Sequence, residues 1–187
     1  MQSGEDGWYS RAMIAETVRI IANHHDIDIA LSLGERPDDD YRCWFDAGAT
    51  RYLLKHETSD PALYRALHPG SSLDERIRIL RLLKSIGYET GSGVMVGLPG
   101  QSLESIADDI LLFRRLDIDM IGCGPYIYNP DAGLIQPDNH FWTQKMKMDT
   151  VLKITALNRI VTRNTMIPAT TATEISSQKS GRACALG

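Results

Sequence analysis

The chain has 187 residues, 43% hydrophobic and 24% charged, with a formal net charge of −4. That is enough for one domain with a real core, and the dispersed basic residues exclude a nucleic-acid footprint. No apolar run approaches the roughly 20 residues that span a bilayer. The opening Met1-Gln2-Ser3-Gly4-Glu5-Asp6 has neither region of a secretory signal, so the expectation is a cytoplasmic protein with no membrane contact.

In chain order, Gln2 to Asp6 is polar, carries a glycine and reads as a loop. Tyr9 to about His24 reads as a helix, with Ile14, Val18 and Ile21 at helical spacing. Ile27 to Leu31 is a short β-prone run that ends in Ser32-Leu33-Gly34-Glu35. Pro37 opens a helix to about Ala47, and Gly48 punctuates it. Arg51-Tyr52-Leu53-Leu54 is a strand that runs into Lys55-His56-Glu57. Two helical pieces follow, broken at Pro69-Gly70. The second starts with a capping box, Ser72 and Glu75, turns Leu73, Ile77 and Leu80 inward, and stops at Gly87.

A strand from about Thr90 to Val96 ends in Gly97-Leu98-Pro99-Gly100-Gln101. Ser102 caps the next helix, whose expected inner stripe is Leu103, Ile106, Ile110 and Phe113. Met120 to Gly124 is a short strand followed by Pro125 to Asp131. Trp142 to Thr162 is a long helix, and Met166-Ile167 starts a last strand that runs into Pro168 to Ala172. Residues 173–187 read as a loop or frayed tail.

Helix and strand alternate five times, which implies parallel strands with right-handed crossovers. Every strand ends in polar or glycine-rich residues, and these ends would share one rim, the active-site face of a (β/α) barrel. About five strands cannot close a barrel of eight. The expected fold class is therefore α/β, an incomplete (β/α) TIM-type barrel, one partial domain over residues 1–187 and an internal piece of a larger protein.

Lys55, His56 and Glu57 are expensive to bury unpaired, so the end of the Arg51 strand is the first place to look for chemistry; a solvated loop is the competing reading. If the strand stays regular, alternation puts residues 51, 53, 55 and 57 on one side. Arg51 at depth with Lys55 and Glu57 at the rim would then bind an anionic substrate, and His56 would face outward, structural or solvent-exposed rather than a ligand. Arg76 falls in the first turn of its helix, where a cation gains nothing from the dipole, so its place wants another reason. Ser32, Thr170 and Thr171 are hydroxyl residues at strand ends; contact with substrate oxygens and capping of the next helix stay open. Gly97, Pro99 and Gly100 fix a tight turn, purely structural or a backbone approach to a ligand.

Six rim segments in this order resemble a known family: Gln-Ser-Gly-Glu-Asp (2–6), Ser-Leu-Gly-Glu (32–35), Arg-Tyr-Leu-Leu-Lys-His-Glu-Thr (51–58), Met-Val-Gly-Leu-Pro-Gly-Gln (95–101), Gly-Pro-Tyr-Ile (124–127) and Ile-Pro-Ala-Thr-Thr-Ala (167–172). The family is the radical S-adenosylmethionine maturases of [FeFe]-hydrogenase, the HydE type, beside biotin synthase and methylornithine synthase. The resemblance implies a complete barrel, S-adenosylmethionine as cosubstrate and a [4Fe-4S] cluster on a Cys-x3-Cys-x2-Cys motif.

The cysteines here are Cys43, Cys123 and Cys184, so the cluster ligands are absent from this chain and no residue is assigned to metal. Their odd number and wide spacing also exclude a disulfide framework and point to a reducing compartment. By resemblance, Glu5, Glu57 and Lys55 face the cosubstrate, Arg76 contacts its methionine carboxylate, and Arg51, Ser32, Thr170 and Thr171 line the substrate site. The family has an arginine where this chain has Lys55; lysine keeps the charge and loses the bidentate fork. Tyr126 and Tyr128 pack on the adenine or on the barrel wall. The implied partners are a small-molecule substrate and other hydrogenase maturases. The alternatives are a methylornithine or biotin synthase-like activity and, from another class, a catalytically dead remnant or binding module.

Overall fold

A computed structural model describes residues 1–129 and 142–168. Among the described residues ten elements follow one another: α1 (Arg11–His24), β1 (Ala30–Leu31), α2 (Asp38–Asp46), β2 (Arg51–Leu53), α3 (Pro61–Leu67), α4 (Leu73–Ile86), β3 (Glu89–Val96), α5 (Leu103–Leu116), β4 (Met120–Pro125) and α6 (Gln144–Thr162). The four strands form one parallel sheet in the order β1-β2-β3-β4. Single parallel bridges extend it at both edges, Gln2 to Ser32 and Met120 to Met166. The strand expected at Met166-Ile167 is thus one bridge among the described residues. Sequential parallel strands in one curved row, each followed by helix, are an incomplete (β/α) barrel.

Local chemistry sets the helix ends. The hydroxyls of Ser10, Ser72, Ser102 and Thr143 each accept a hydrogen bond from the backbone N–H three residues on, and Asp60 accepts two, from Ala62 and Leu63. Gly87 closes α4 at φ 116, which a side chain would resist. Leu103 does not join the inner stripe of α5: it is 57% exposed, and the stripe starts at Ile106. Periodicity gives a helix face and does not say how far the packing layer behind it reaches.

The two faces of the sheet differ. Tyr52, Leu54, Thr90, Ser92, Val94, Val96, Ile121 and Cys123 are all buried. They alternate with residues on the other face, and the helices cover them. Tyr41, Trp44, Phe45, Tyr52 and Tyr88 form an aromatic cluster there, with ring centroids 5.0–6.4 Å apart. The Tyr52 hydroxyl donates to the Gly34 carbonyl at 3.0 Å, so its polar tip is satisfied. The concave face is floored by glycine: a Cβ at Gly91 would meet Leu53 and Met120, and one at Gly93 would meet the Gly122 carbonyl.

Candidate functional site at the C-terminal rim

Because the sheet is parallel, the segments after β1, β2, β3 and β4 emerge on one rim. Lys55 leaves β2 across the glycine floor. Its Cγ lies 3.1 Å from where a Cβ on Gly93 would be, and its Cε 3.7 Å from the equivalent point on Gly122. Any side chain at Gly93 would push the lysine off the sheet.

The regular alternation expected from residue 51 to residue 57 fails at the end of β2. Leu54 N–H donates to the Gly91 carbonyl, but the next ladder bond is from Glu57 N–H to Gly93, and Glu57 pairs with Val94. The β2 side therefore carries one extra residue, a β-bulge. Glu57 has φ 62, one of three non-glycine residues at positive φ among the described residues. Thr58 N–H donates to the His56 carbonyl at 2.7 Å, closing a three-residue turn on Glu57. Its Oε2 is buried with no hydrogen-bond partner among the described residues. Burial raises the Glu57 carboxyl above its ordinary range, opposed by the charges of Lys55, His56 and Arg76. A buried carboxyl with an orphaned oxygen beside cations is a group waiting for a donor.

Arg76 is 3% exposed. Its Nε donates to the Tyr64 hydroxyl at 2.8 Å and sits 2.9 Å from Glu35 Oε1, and one terminal nitrogen reaches Glu5 Oε1 at 3.1 Å. Ser71 Oγ donates to Glu35 Oε1 at 2.7 Å. His68 packs on Tyr64 with ring centroids 4.8 Å apart; burial, then the Arg76 charge, lower its pKa. Arg76 and Glu5, both expected at the site, are thus brought together. Glu35 and Tyr64 were not expected. Glu35 had a signal, a carboxylate just past a strand end. Tyr64 had none, since an aromatic on a helix reads as core.

Other expected residues are placed elsewhere. Arg51 sits at the far end of β2, ion-paired to Asp28 at 2.8 Å and Glu89 at 2.6 Å. It lies below the rim: four residue steps along the chain separate it from Lys55 by about 13 Å. Ser32 is at the rim and half-buried, its backbone bonded to Met1 and Ser3, and it caps no helix, since the N-cap of α2 is Pro37. Thr170 and Thr171 lie outside the described residues.

His56 is fully buried behind the sheet. Tyr126 is buried; its N–H donates to the Val96 carbonyl at 2.7 Å, and Lys147 Nζ donates to its carbonyl at 3.0 Å. The Lys147 stem fills the space above Gly97, whose φ is 87. Gln101 holds that turn from inside, accepting from Gly97 N–H at 2.7 Å and Leu98 N–H at 3.2 Å.

Among the described residues no group of three or more His, Cys, Asp or Glu side chains could hold a metal ion. Burial pushes the Cys123 thiol up to about 12, so it is not a ready thiolate ligand. The described residues therefore do not fit an iron–sulfur cluster. They do fit a cosubstrate that carries both an amine and a carboxylate: Glu57 and Glu5 offer acceptors, and Lys55 and Arg76 offer donors.

The model of the Radical SAM superfamily matches residues 4–113. The chain is 44% identical over 172 residues to the [FeFe] hydrogenase maturase subunit HydE of Thermotoga maritima, covering 92% of this chain and 47% of that protein. It is 26% identical over 148 residues to the biotin synthase of Cyanothece sp., covering 79% of this chain and 38% of that protein. A solved methylornithine synthase (PylB) superposes with a TM-score of 0.76 at 25% identity, over 90% of this chain and 48% of the other. The chain thus spans less than half the length of each of these three relatives. The matched stretch runs from the loop that carries Glu5 into α5 and so takes in Lys55, Glu57 and Arg76; on that match the chain belongs to the Radical SAM superfamily.

Proposed function

We propose that this chain is the central part of a radical S-adenosylmethionine enzyme of the HydE type, acting in assembly of the [FeFe]-hydrogenase active site. The observation that carries the reading is the 44% identity to HydE over 172 residues. The rim geometry supports the cosubstrate part of it. Glu57 and Glu5 would accept from the amine or ribose hydroxyls, and Arg76 would face the methionine carboxylate. Lys55, lying on bare backbone, would hold an anionic group of a small substrate on the concave face. Ser32, Thr170 and Thr171 are proposed to bind substrate oxygens; Arg51, held by two carboxylates, is proposed only as a distant electrostatic contributor.

When bound and reduced, S-adenosylmethionine supplies an adenosyl radical; this chain's part is to orient it and exclude water. The described residues hold no ligands for the cluster that would supply the electron. A methylornithine synthase-like activity is the second reading, favoured by the PylB superposition. Other maturases are the proposed partners.

Equilibrium dialysis of the 187-residue chain against labelled S-adenosylmethionine tests the shared core of both readings. Saturable binding that Glu57→Gln weakens about tenfold, the loss of one charged hydrogen bond, is the expected result. A folded chain with no binding, or with binding indifferent to Glu57, would sink it.

A further inference from the structure

We propose that Asp109, with His56, is a positioning residue for Glu57: it pins the β2 bulge from behind the sheet and so sets where the Glu57 carboxyl stands. The inference rests on the reading that Glu57 meets the cosubstrate.

Asp109 lies in the middle of α5, where a carboxylate would ordinarily face water, yet it is 0% exposed. Its Oδ1 accepts from Ser59 N–H at 2.5 Å and lies 3.8 Å from His56 Nε2. It therefore touches the chain on both sides of Glu57. The neighbouring turn of the same helix adds a third tie, as Ser59 Oγ donates to the Ser105 carbonyl at 3.2 Å.

The orientation of His56 follows from counting protons. Ser92 Oγ donates its only hydrogen to the Leu54 carbonyl at 3.0 Å, so His56 Nδ1 at 2.9 Å must be the donor to Ser92. That leaves Nε2 turned to Asp109. The ring is further held edge-on against Phe113 at 5.2 Å. The result is a chain of contacts from α5 to β3 that crosses behind the bulge and fixes residues 56 and 59.

Between those two points Glu57 holds φ 62, a conformation that a non-glycine residue keeps only when its surroundings impose it. Bulges beside active sites commonly re-aim one side chain. Without the extra residue, Glu57 would continue the alternation opposite Met95 rather than pair with Val94. A buried carboxylate that binds only structure elsewhere in a core would not need to grip both flanks of a strained rim residue.

The test uses the 187-residue chain and solution NMR, and needs no cosubstrate. In the unaltered chain the Ser59 amide should be protected from exchange like the amides of β3. Asp109→Asn keeps the Oδ1 acceptor for Ser59 and the volume of the side chain, so the Cα and Cβ shifts of residue 57 should stay put. Asp109→Leu fills the same space without either contact, and those shifts should move toward extended-chain values, with Asp109→Ser as the second variant. Glu57→Gly should raise the Tm of the unaltered chain by several degrees, and by less in the Asp109→Leu background, where the strain is already released. A freely exchanging Ser59 amide, unmoved residue 57 shifts in a folded Asp109→Leu or Asp109→Ser chain, or an equal Tm gain in both backgrounds would each overturn the proposal. Failure of S-adenosylmethionine binding in the unaltered chain, with these results intact, would instead reject the cosubstrate reading alone.

Discussion

The two ends of β2 carry charge for different reasons. At the start of the strand, Arg51 meets Asp28 and Glu89, and both carboxylates are about half exposed, at 51% and 52%. Every charge there has a partner and water besides. At the finish, three residues on, the ladder bulges and Glu57 takes a strained turn with one carboxyl oxygen buried and unpartnered. In a barrel the first end belongs to stability and the second to chemistry. The lesson is that an ionisable residue at a strand terminus marks a site only when the protein leaves it unsatisfied.

The largest expected effect lies at the rim. Arg76→Met removes a buried guanidinium that serves Tyr64, Glu35 and Glu5. Urea unfolding should show a loss of about 2–3 kcal/mol, with S-adenosylmethionine binding abolished. A variant as stable as the parent would place Arg76 with Arg51, among the surface pairs.

Glu57→Gln sharpens the contrast through pH. Because burial raises the Glu57 carboxyl, the folded state prefers it protonated. The stability this gives is fully present below the ordinary carboxylate range and is lost as pH rises through the raised value. Over that window the parent should lose stability relative to Glu57→Gln, at up to about 1.4 kcal/mol per pH unit. Parallel pH profiles for the two proteins would remove the claim that the carboxyl is buried.

The smallest effect is at the other end. Arg51→Ala breaks two exposed pairs and should cost at most about 1 kcal/mol, shrinking further at high salt. A tenfold loss of substrate or cosubstrate binding would show that Arg51 reaches the concave face after all.

What could be read from the residues in advance was the part that is local. The serine caps at positions 72 and 102 and the stop at Gly87 are set by neighbours a few residues away, and they are where expected. The pairing of Arg76 with Glu5 joins residues 71 positions apart, and only the family resemblance anticipated that both belong to one site. The bulge escaped because alternation assumes a regular ladder, and nothing in Leu54 to Glu57 names an extra residue. Asp109 escaped for the opposite reason: a carboxylate inside a helical pattern reads as solvated, whereas here it is folded inward to meet a backbone N–H.

The bare floor beneath Lys55 limits how this site can change. Gly93 and Gly122 offer only peptide backbone there, and a single added methyl at Gly93 would collide with the carbonyl of the next strand. If the proposed site takes small substrates, selectivity among them would be written on the walls and at the mouth, by residues such as Lys55, while the bottom of the trough would stay the same. Divergence in this lineage would then proceed by exchanging wall residues one at a time, with the depth of the trough as the inherited constant.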